Sequence, residues 1–540
     1  MSATPGVRSI GRRDFVALGA GAVALAAAPA WAAAPRRGGV LKHIGLEPST
    51  LDIQATTSPA TALASSFVRR TLFKLASGSR HGPSDFTLVP DLAQKAEWSR
   101  DGRVCTLPLR PGVRWEPRPP VGGRELTAAD VKYTLERAAK RSPFASQLGP
   151  VQGVEAPDRH TVRVHLAEAF APFLANLAEP WLGILPPEVE DKLGDFRSPE
   201  ALIGCGPFVL ERYEPGIKAV FARNPRYHRK ELPYLDRVEW LFIKDRDTQL
   251  SLFQAGQVDI PFHDARVPAA DAASLGRSHP GYPFMYWDAL AVRSLAMRTD
   301  RPPFNDVRVR RALSLAIDRK KWVAQYPDGQ GLEDPGPVPA AMREWKLAPR
   351  DLGEGARYLA PDPTLARKLL AEAGFPGGLR VRCSHWRGDG REHVEEIERL
   401  TASLKPIGVE LAIVDEENGG RLRGAASGRL EETSWGPAPA SAEVDGCLYG
   451  AFRSGQPGNR SRVADARLDA MLDGQRRDLS RASRKRTIED IQRHVAERVY
   501  YVYPPAPRLL SSWAPRVRNY APRNSVDRGA QLEVVWVDAP

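Results

Sequence analysis

The sequence predicts a mixed α/β protein with more than one domain. At 540 residues the chain is longer than a single hydrophobic core usually serves. Its composition, 42% hydrophobic and 26% charged, is typical of globular proteins and argues against global disorder. Runs of alternating apolar and polar residues are interspersed with stretches of helical spacing, and 48 prolines and 45 glycines indicate many loops between short elements.

Residues 1–34 are predicted to be a twin-arginine signal peptide. Arg12 and Arg13 precede an apolar run at 16–28, and residues 30–32 (AWA) fit the small-x-small cleavage rule, so we expect a mature amino terminus near Ala33. The run is too short for a bilayer of about 30 Å. No cysteine follows it, which excludes a lipid anchor. An uncleaved membrane anchor is the alternative, and we favour export to the periplasm.

The mature chain opens with a predicted strand at 40–44 and a turn at 48–52. Residues 66–201 then predict an α+β module. Its segment 88–138 contains a short helix, a turn at 99–102 and an alternating strand at 104–109. A helix capped by Thr127 follows, because apolar residues recur from Val131 at helical spacing. A further strand is predicted at 161–166.

The second half of the chain predicts another α/β region. Residues 302–319 form an amphipathic helix after a turn, and helices follow at 363–374 and 392–404. Strands at 379–383 and 409–414 flank the last of these helices, and this β-α-β order indicates a second lobe. A long helical region is predicted at 464–497, and a strand at 532–537 closes the chain.

Signatures of catalysis, metal binding and nucleic-acid binding are weak. The mature chain has no G-x-S-x-G, H-E-x-x-H or P-loop motif. The four cysteines, at 105, 205, 383 and 447, are far apart, so we expect no metal site. The net charge of +12 comes from scattered residues and suggests solubility rather than a nucleic-acid groove. We expect no cofactor, no nucleic acid and no enzymatic activity.

Several motifs resemble one family closely. Residues 109–115 (LRPGVRW) and 126–137 (LTAADVKYTLER) are two of them, and 204–208 (GCGPF) and 302–319 (PPFNDVRVRRALSLAIDR) are two more. These segments resemble the extracytoplasmic solute-binding proteins of family 5, which serve dipeptide, oligopeptide and nickel uptake. The resemblance covers nearly the entire mature chain. It implies a receptor that captures a peptide-like or other small solute and delivers it to the permease subunits of an ABC importer.

The resemblance also implies a two-lobed periplasmic-binding-protein type II fold with an extra subdomain in lobe one. Lobe one would comprise 36–65, 202–290 and 503–540, the subdomain 66–201, and lobe two 291–502. Crossovers near 290–298 and 499–507 would form a hinge between the lobes. A disulfide from Cys205 to Cys447 would lock that hinge, so we expect no disulfide between these two cysteines. We expect the exported protein to be a monomer that meets the twin-arginine machinery on its way out.

The ligand site is expected around Trp435. Peptide-binding relatives carry an aspartate three residues after this tryptophan, which holds the α-ammonium of the peptide, and Ala438 stands there in this sequence. Asp445 or Glu443 would have to supply the carboxylate, or the solute lacks a free amine. Further candidates for ligand contact are Thr57, Ser58, Trp287 and Trp386. Each tryptophan is equally open to a core-packing role.

Two rival functions stay open at this point. A secreted hydrolase with carboxylates in its cleft would leave no spacing signature in the sequence. A sensor or chaperone would use the receptor fold without an importer. The identity of the solute, including whether it is a peptide, stays open as well.

Overall fold

The described chain contains both helices and strands throughout its length. The computed structural model describes residues 34–261, 267, 269–290, 293–326, 329–333, 336–385, 391–415, 431–437 and 441–538. Trp386, Ala438 and residues 1–33 of the predicted signal peptide therefore lie outside the described residues. Every helix within these ranges is too short or too polar to span a lipid bilayer.

The first sheet is built on the amino-terminal strand. Its four strands lie in the order Val40–Gly45, Arg237–Phe242, Lys218–Arg223 and Phe208–Glu214. The first two run parallel and the other neighbours run antiparallel. Phe67, from the helix Pro59–Val68, packs on Phe221 with ring centroids 4.8 Å apart. Leu532 and Val535 enter the same core, so the end of the chain folds back on its beginning.

The glycines on either side of Cys205 serve tight packing. A Cβ atom on Gly204 or Gly206 would overlap the carbonyl oxygen of Val68. The N–H of Gly206 donates to that oxygen at 2.7 Å. Only glycine permits so close an approach of two backbones.

Residues 66–201 carry a second sheet with a separate hydrophobic core. Its strands lie, all antiparallel, in the order Glu97–Trp98, Val104–Pro108, Thr161–Leu166 and Val151–Asp158. The helix Ala128–Arg141 begins after Thr127, as predicted. The Asp130 carboxylate accepts the N–H of Thr127 at 2.8 Å, which satisfies a donor that the first helical turn leaves unpaired.

The short helix predicted before residue 99 was wrong. Leu88–Pro90 instead pairs with Phe73–Leu75 as a small antiparallel sheet. The N–H of Ala93 donates to the Leu72 carbonyl at 3.0 Å, and that of Gln94 to the Pro108 carbonyl at 2.8 Å. These bonds to distant backbone take the place of helical ones.

The third sheet lies in the predicted lobe two. Its strands follow the order Val409–Asp415, Leu379–His385, Thr433–Pro437, Arg293–Met297 and Tyr501–Val502. The first three are parallel to one another, which confirms the predicted β-α-β unit around the helix Arg391–Leu404. The helices Val307–Leu315 and Pro363–Glu372 border the core of this sheet.

One helical prediction and one strand prediction near the end of the chain need correction. The long region at 464–497 is two helices, Ala466–Arg477 and Arg481–Arg498, because Ser480 caps the second through the N–H of Ser483. The closing strand predicted at 532–537 was largely wrong. Asp527 caps a short helix, Arg528–Leu532, before a strand of only Trp536–Val537.

Two short ladders lie beside the predicted hinge. Phe284–Trp287 pairs with Leu509–Ser512, and Gly331–Leu332 pairs with Ala506–Pro507. The division into lobes and the hinge motion stay predictions. The remaining strand of the described chain is Val517–Arg518. The remaining helices, α or 3₁₀, are Ala145–Leu148, Phe173–Asn176, Pro180–Leu182, Pro187–Leu193, Pro199–Ala201, Arg246–Gln254, Ala269–Ser278, Arg319–Val323, Pro349–Asp351, Gly353–Leu359, Lys405–Ile407 and Val444–Phe452.

Candidate functional site

Trp435 is buried in the third sheet, with 1% of its surface exposed. Its indole stacks on His393 with centroids 6.0 Å apart, and His393 stacks on His385 at 4.7 Å. Within the described chain the indole Nε1 has no hydrogen-bond partner. A buried N–H without a partner costs about 1–3 kcal/mol, so Trp435 combines a packing role with a donor that no described residue uses.

Asp445 lies at the start of the helix Val444–Phe452 and is almost fully buried. Gln475 Nε2 donates to its carboxylate at 2.5 Å, and Arg476 Nε lies 3.1 Å from it. Burial raises the pKa of Asp445 to about 6, against the attraction of Arg476. Glu443, the other carboxylate considered as a replacement for the missing aspartate, pairs with Arg484. Both carboxylates thus have partners within the chain.

Arg476 joins this network to the 66–201 module. Its guanidinium lies over the rings of Tyr449 and Phe170, at 3.7 and 4.8 Å from the centroids. The N–H of Ala171 donates to the Arg476 carbonyl at 2.7 Å. The Asp445 network therefore lies where the predicted lobe two meets the predicted subdomain.

The other candidates in the described chain have structural contacts. Ser58 caps the helix Pro59–Val68 by accepting the N–H of Thr61 at 3.5 Å, and Thr57 is exposed beside it. Trp287 is buried in the ladder beside the hinge, and its Nε1 donates to Ser511 Oγ at 2.9 Å.

The five described candidates are not joined to one another. Among the described residues, no hydrogen bond, ion pair or ring contact links any two of these side chains: Trp435, Asp445, Thr57, Ser58 and Trp287. Trp386 lies outside the described residues. Their common role in ligand contact stays a prediction.

Glu179 is a carboxylate that the sequence analysis missed. It precedes the 3₁₀ helix Pro180–Leu182. Burial raises the pKa of its carboxyl to about 7, although the backbone N–H of Ala442 lowers it, and Asp527 adds to the rise. No cation in the described chain forms an ion pair with it. A single glutamate before a proline carries no pattern, so the sequence offered no signal for this position.

The raised pKa makes a stability prediction for Glu179→Gln. Below about pH 4.5 the carboxyl is protonated in both the folded and the unfolded chain, so the substitution changes nothing through this group. Between pH 4.5 and 7 the unfolded chain releases the proton first, and the wild type loses about 3 kcal/mol of stability. The glutamine variant is spared this loss. Urea unfolding should show a gain for Glu179→Gln over wild type at pH 8 and none at pH 4.

The exposed Glu354→Gln is the matched control, and it should leave the free energy of unfolding unchanged at both pH values. An equal effect of Glu179→Gln at pH 4 and pH 8 would contradict the claim that the ionised Glu179 carboxylate lowers the stability of the folded chain.

Neither the cysteines nor a metal-binding group contributes to the candidate site in the described part of the chain. All four cysteines are buried and free, and burial raises the pKa of the Cys205 and Cys447 thiols to about 12. The described residues contain no group of three histidine, cysteine or carboxylate side chains that would hold a metal ion.

Comparison with known proteins identifies the family. Residues 87–459 match the family model "Bacterial extracellular solute-binding proteins, family 5 Middle". The chain is 25% identical to glutathione-binding protein GsiB of Pectobacterium atrosepticum, over 94% of this chain and 95% of the relative. It is 27% identical to heme-binding protein A of Haemophilus influenzae, over 71% and 73% of the two chains.

Solved structures share the fold. The periplasmic binding protein DppA of Helicobacter pylori, in complex with the peptide STSA, matches with a TM-score of 0.77 at 22% identity over 94% of this chain and 99% of its own. AgaA of A. tumefacien R10, in complex with agropinic acid, matches with a TM-score of 0.75 at 22% identity over 93% and 99%. The predicted fold class is confirmed. The chain belongs to family 5 of the bacterial extracellular solute-binding proteins, receptors that deliver solutes to ABC importers.

Proposed function

We propose that this protein is a periplasmic receptor for a small solute other than an ordinary unblocked peptide. The solute would be enclosed between the predicted lobes and passed to the permease subunits of an ABC importer. The protein would act as a monomer without catalysing a reaction. The observation that carries the proposal is the pairing of Asp445 with Gln475 and Arg476, in a chain with Ala438 in place of the family's aspartate.

An ammonium group needs a carboxylate in a closed cleft. Removing a charge from water without a partner costs several kcal/mol. Asp445 would have to give up two partners to meet an α-ammonium, so its recruitment carries a cost of its own. Relatives named for glutathione and heme, and neighbours solved with a peptide and with agropinic acid, show that membership of this family leaves the solute open.

Glu179 supports the proposal of a solute that carries a cationic group, which would bind at Glu179 and not at the position of the family's aspartate. Its carboxylate faces the N–H of Ala442 and has no cation beside it in the described chain. An uncompensated charge that lowers stability is typical of a binding position. A solute cation would supply the missing partner, so Glu179→Gln should weaken capture of the native solute while it stabilises the empty receptor. Trp435, Thr57, Ser58, Trp287 and Trp386 stay proposed contact residues.

Trp435 is tested best by a conservative change. Trp435→Phe keeps an aromatic ring against His393 and removes the unused Nε1 donor. If the donor meets the solute, calorimetry should show weaker capture with little change in stability. Unchanged capture would assign Trp435 to packing alone.

Turnover assays separate the receptor from a hydrolase. Incubation with peptide and ester libraries should yield no products, whereas the native solute should be retained stoichiometrically and released unchanged. Catalytic turnover that persists in repurified protein would overturn the receptor proposal.

Export by the twin-arginine route is a further part of the proposal. Replacing Arg12 and Arg13 with lysine should leave precursor inside the cell, because the pair is the recognition signal. Immunoblots of periplasmic and cytoplasmic fractions measure this. Normal export of the lysine variant, at wild-type amounts, would argue for a different route.

A further inference from the structure

A cavity of about 620 Å³ opens between two loops far apart in the sequence, residues 110–114 and 225–230. Five basic residues line it, and no acidic residue does: Arg110, Arg114, Arg226, His228 and Lys230. We call this the basic cavity. It is lined by residues of the predicted lobe one and its subdomain, and none of the described candidate ligand-contact residues lines it.

Two arginines of the basic cavity donate hydrogen bonds to backbone carbonyls and form no ion pair with a described carboxylate. Arg110 Nε donates to the Asp91 carbonyl at 3.3 Å, and Arg114 Nη1 donates to the Gly123 carbonyl at 3.4 Å. Both acceptors are neutral, so each guanidinium keeps its full charge. Arg226 and Lys230 form no ion pair with any residue that the structure describes.

Gly123 allows Arg226 to lie close to the first loop. A Cβ at this glycine would lie 2.5 Å from Arg226 Nη1, and the backbone has φ of +74°. Any other residue would strain the backbone and displace the guanidinium. The glycine therefore helps to place Arg226 against the loop that carries Arg114.

His228 lies at the back of the basic cavity with 4% of its side chain exposed. Its Nδ1 has no hydrogen-bond partner in the described chain, and its Nε2 lies 3.6 Å from Asp91 Oδ1. Asp91 is already paired with Arg70 at 2.5 Å. A buried polar atom without a partner is costly, and because less than 1 Å² of Nδ1 is exposed, the imidazole would have to shift slightly to meet a ligand oxygen in the cavity.

Neighbouring acids do not cancel the charge of the basic cavity. The buried cluster behind it contains three cations and three carboxylates in mutual contact: Arg70, Lys74, Arg229, Asp91, Asp527 and Glu533. Glu125, which accepts the N–H of Gly112 at 2.6 Å, also pairs with Arg159 and His160.

We infer that the basic cavity is a binding site for a phosphate-bearing anion, separate from solute capture. Guanidinium groups match phosphate oxygens in a bidentate geometry, and several fixed cations in a concave site reinforce one another. The volume falls in the range of small-molecule sites, about 300–1,000 Å³. The phosphate belongs either to a free compound or to a lipid headgroup, and one experiment distinguishes these sources.

The test compares wild type with Arg114→Ser/Arg226→Ser. Arg100→Ser/Arg103→Ser is the control, since it removes two exposed arginines of the 66–201 module and lowers the net charge by the same amount. Calorimetry with inorganic pyrophosphate at about 0.15 M salt should show one saturable site, weakened at least about tenfold in the cavity variant and unchanged in the control. Thermal unfolding confirms that each variant is folded.

Co-sedimentation with phosphatidylglycerol vesicles, against phosphatidylcholine vesicles, distinguishes the sources. Binding to the anionic vesicles that pyrophosphate displaces, and that the cavity variant loses, assigns the site to a headgroup. Pyrophosphate binding without vesicle binding assigns it to a free phosphate compound. No saturable binding in either arm, or binding that both double variants weaken equally, overturns the inference.

Discussion

Unblocked di- and tripeptides are expected to bind this receptor at least about a thousandfold more weakly than a receptor with the aspartate anchor would hold them. A buried ammonium without a carboxylate partner loses about 4 kcal/mol of binding free energy, and each tenfold change in affinity corresponds to about 1.4 kcal/mol. Ala438 supplies no carboxylate, and Asp445 is held by Gln475 and Arg476. Calorimetry with a small peptide panel measures the affinities.

Asp445→Ala and Ala438→Asp make the test two-sided. Asp445→Ala should leave peptide affinity as weak as in wild type, because its carboxylate serves Gln475 and Arg476. Ala438→Asp should gain affinity, since it restores the carboxylate at the family's position. Micromolar binding by wild type that survives Asp445→Ala would defeat the missing-anchor argument. Micromolar binding that Asp445→Ala abolishes would show that Asp445 takes the ammonium after all.

Asp91→Ala is expected to lower the free energy of unfolding by about 3–5 kcal/mol, the range for a buried ion pair that loses one partner. The Asp91 carboxylate is fully buried, with Arg70 Nη2 at 2.5 Å and Arg229 Nη2 at 3.5 Å. Burial alone would raise its pKa, yet Arg70 holds the pKa of Asp91 far below the ordinary range. Without this carboxylate Arg70 would stay buried, with Asp527 at 3.4 Å as its remaining ion-pair partner among the described residues. Urea unfolding monitored by circular dichroism measures the change.

The exposed pair of Arg380 and Glu410 provides the control. Glu410→Ala should change stability by less than about 1 kcal/mol, because solvent screens a surface pair. A double variant, Arg70→Met with Asp91→Leu, should be less destabilised than Asp91→Ala, since it also removes the buried guanidinium, and Asp527, which loses Arg70, is a carboxyl whose pKa burial already raises. An effect of Asp91→Ala as small as that of Glu410→Ala would contradict the role of this cluster.

Local signals predicted many elements well. The helix at Ala128–Arg141 could be predicted because Thr127, Asp130 and the apolar stripe lie within one stretch of sequence. The β-α-β unit of the second half followed from its order of elements. The segment 88–98 failed because its backbone partners, Leu72 and Pro108, lie outside it.

The candidate site was harder to predict for the same reason. Asp445 looked available in the sequence, but its partners Gln475 and Arg476 lie some thirty residues later on another helix. Glu179 had no motif, and only the fold places it beside Ala442. Family likeness identified the position of Trp435, whereas its packing against His393 depends on the third sheet.

Mass spectrometry of small molecules released from gently purified protein tests the central claim most directly. The account predicts one solute per chain, of a single chemical kind, that lacks an unblocked peptide amino terminus and rebinds to the emptied receptor. Release of ordinary unblocked di- or tripeptides in stoichiometric amounts would contradict it.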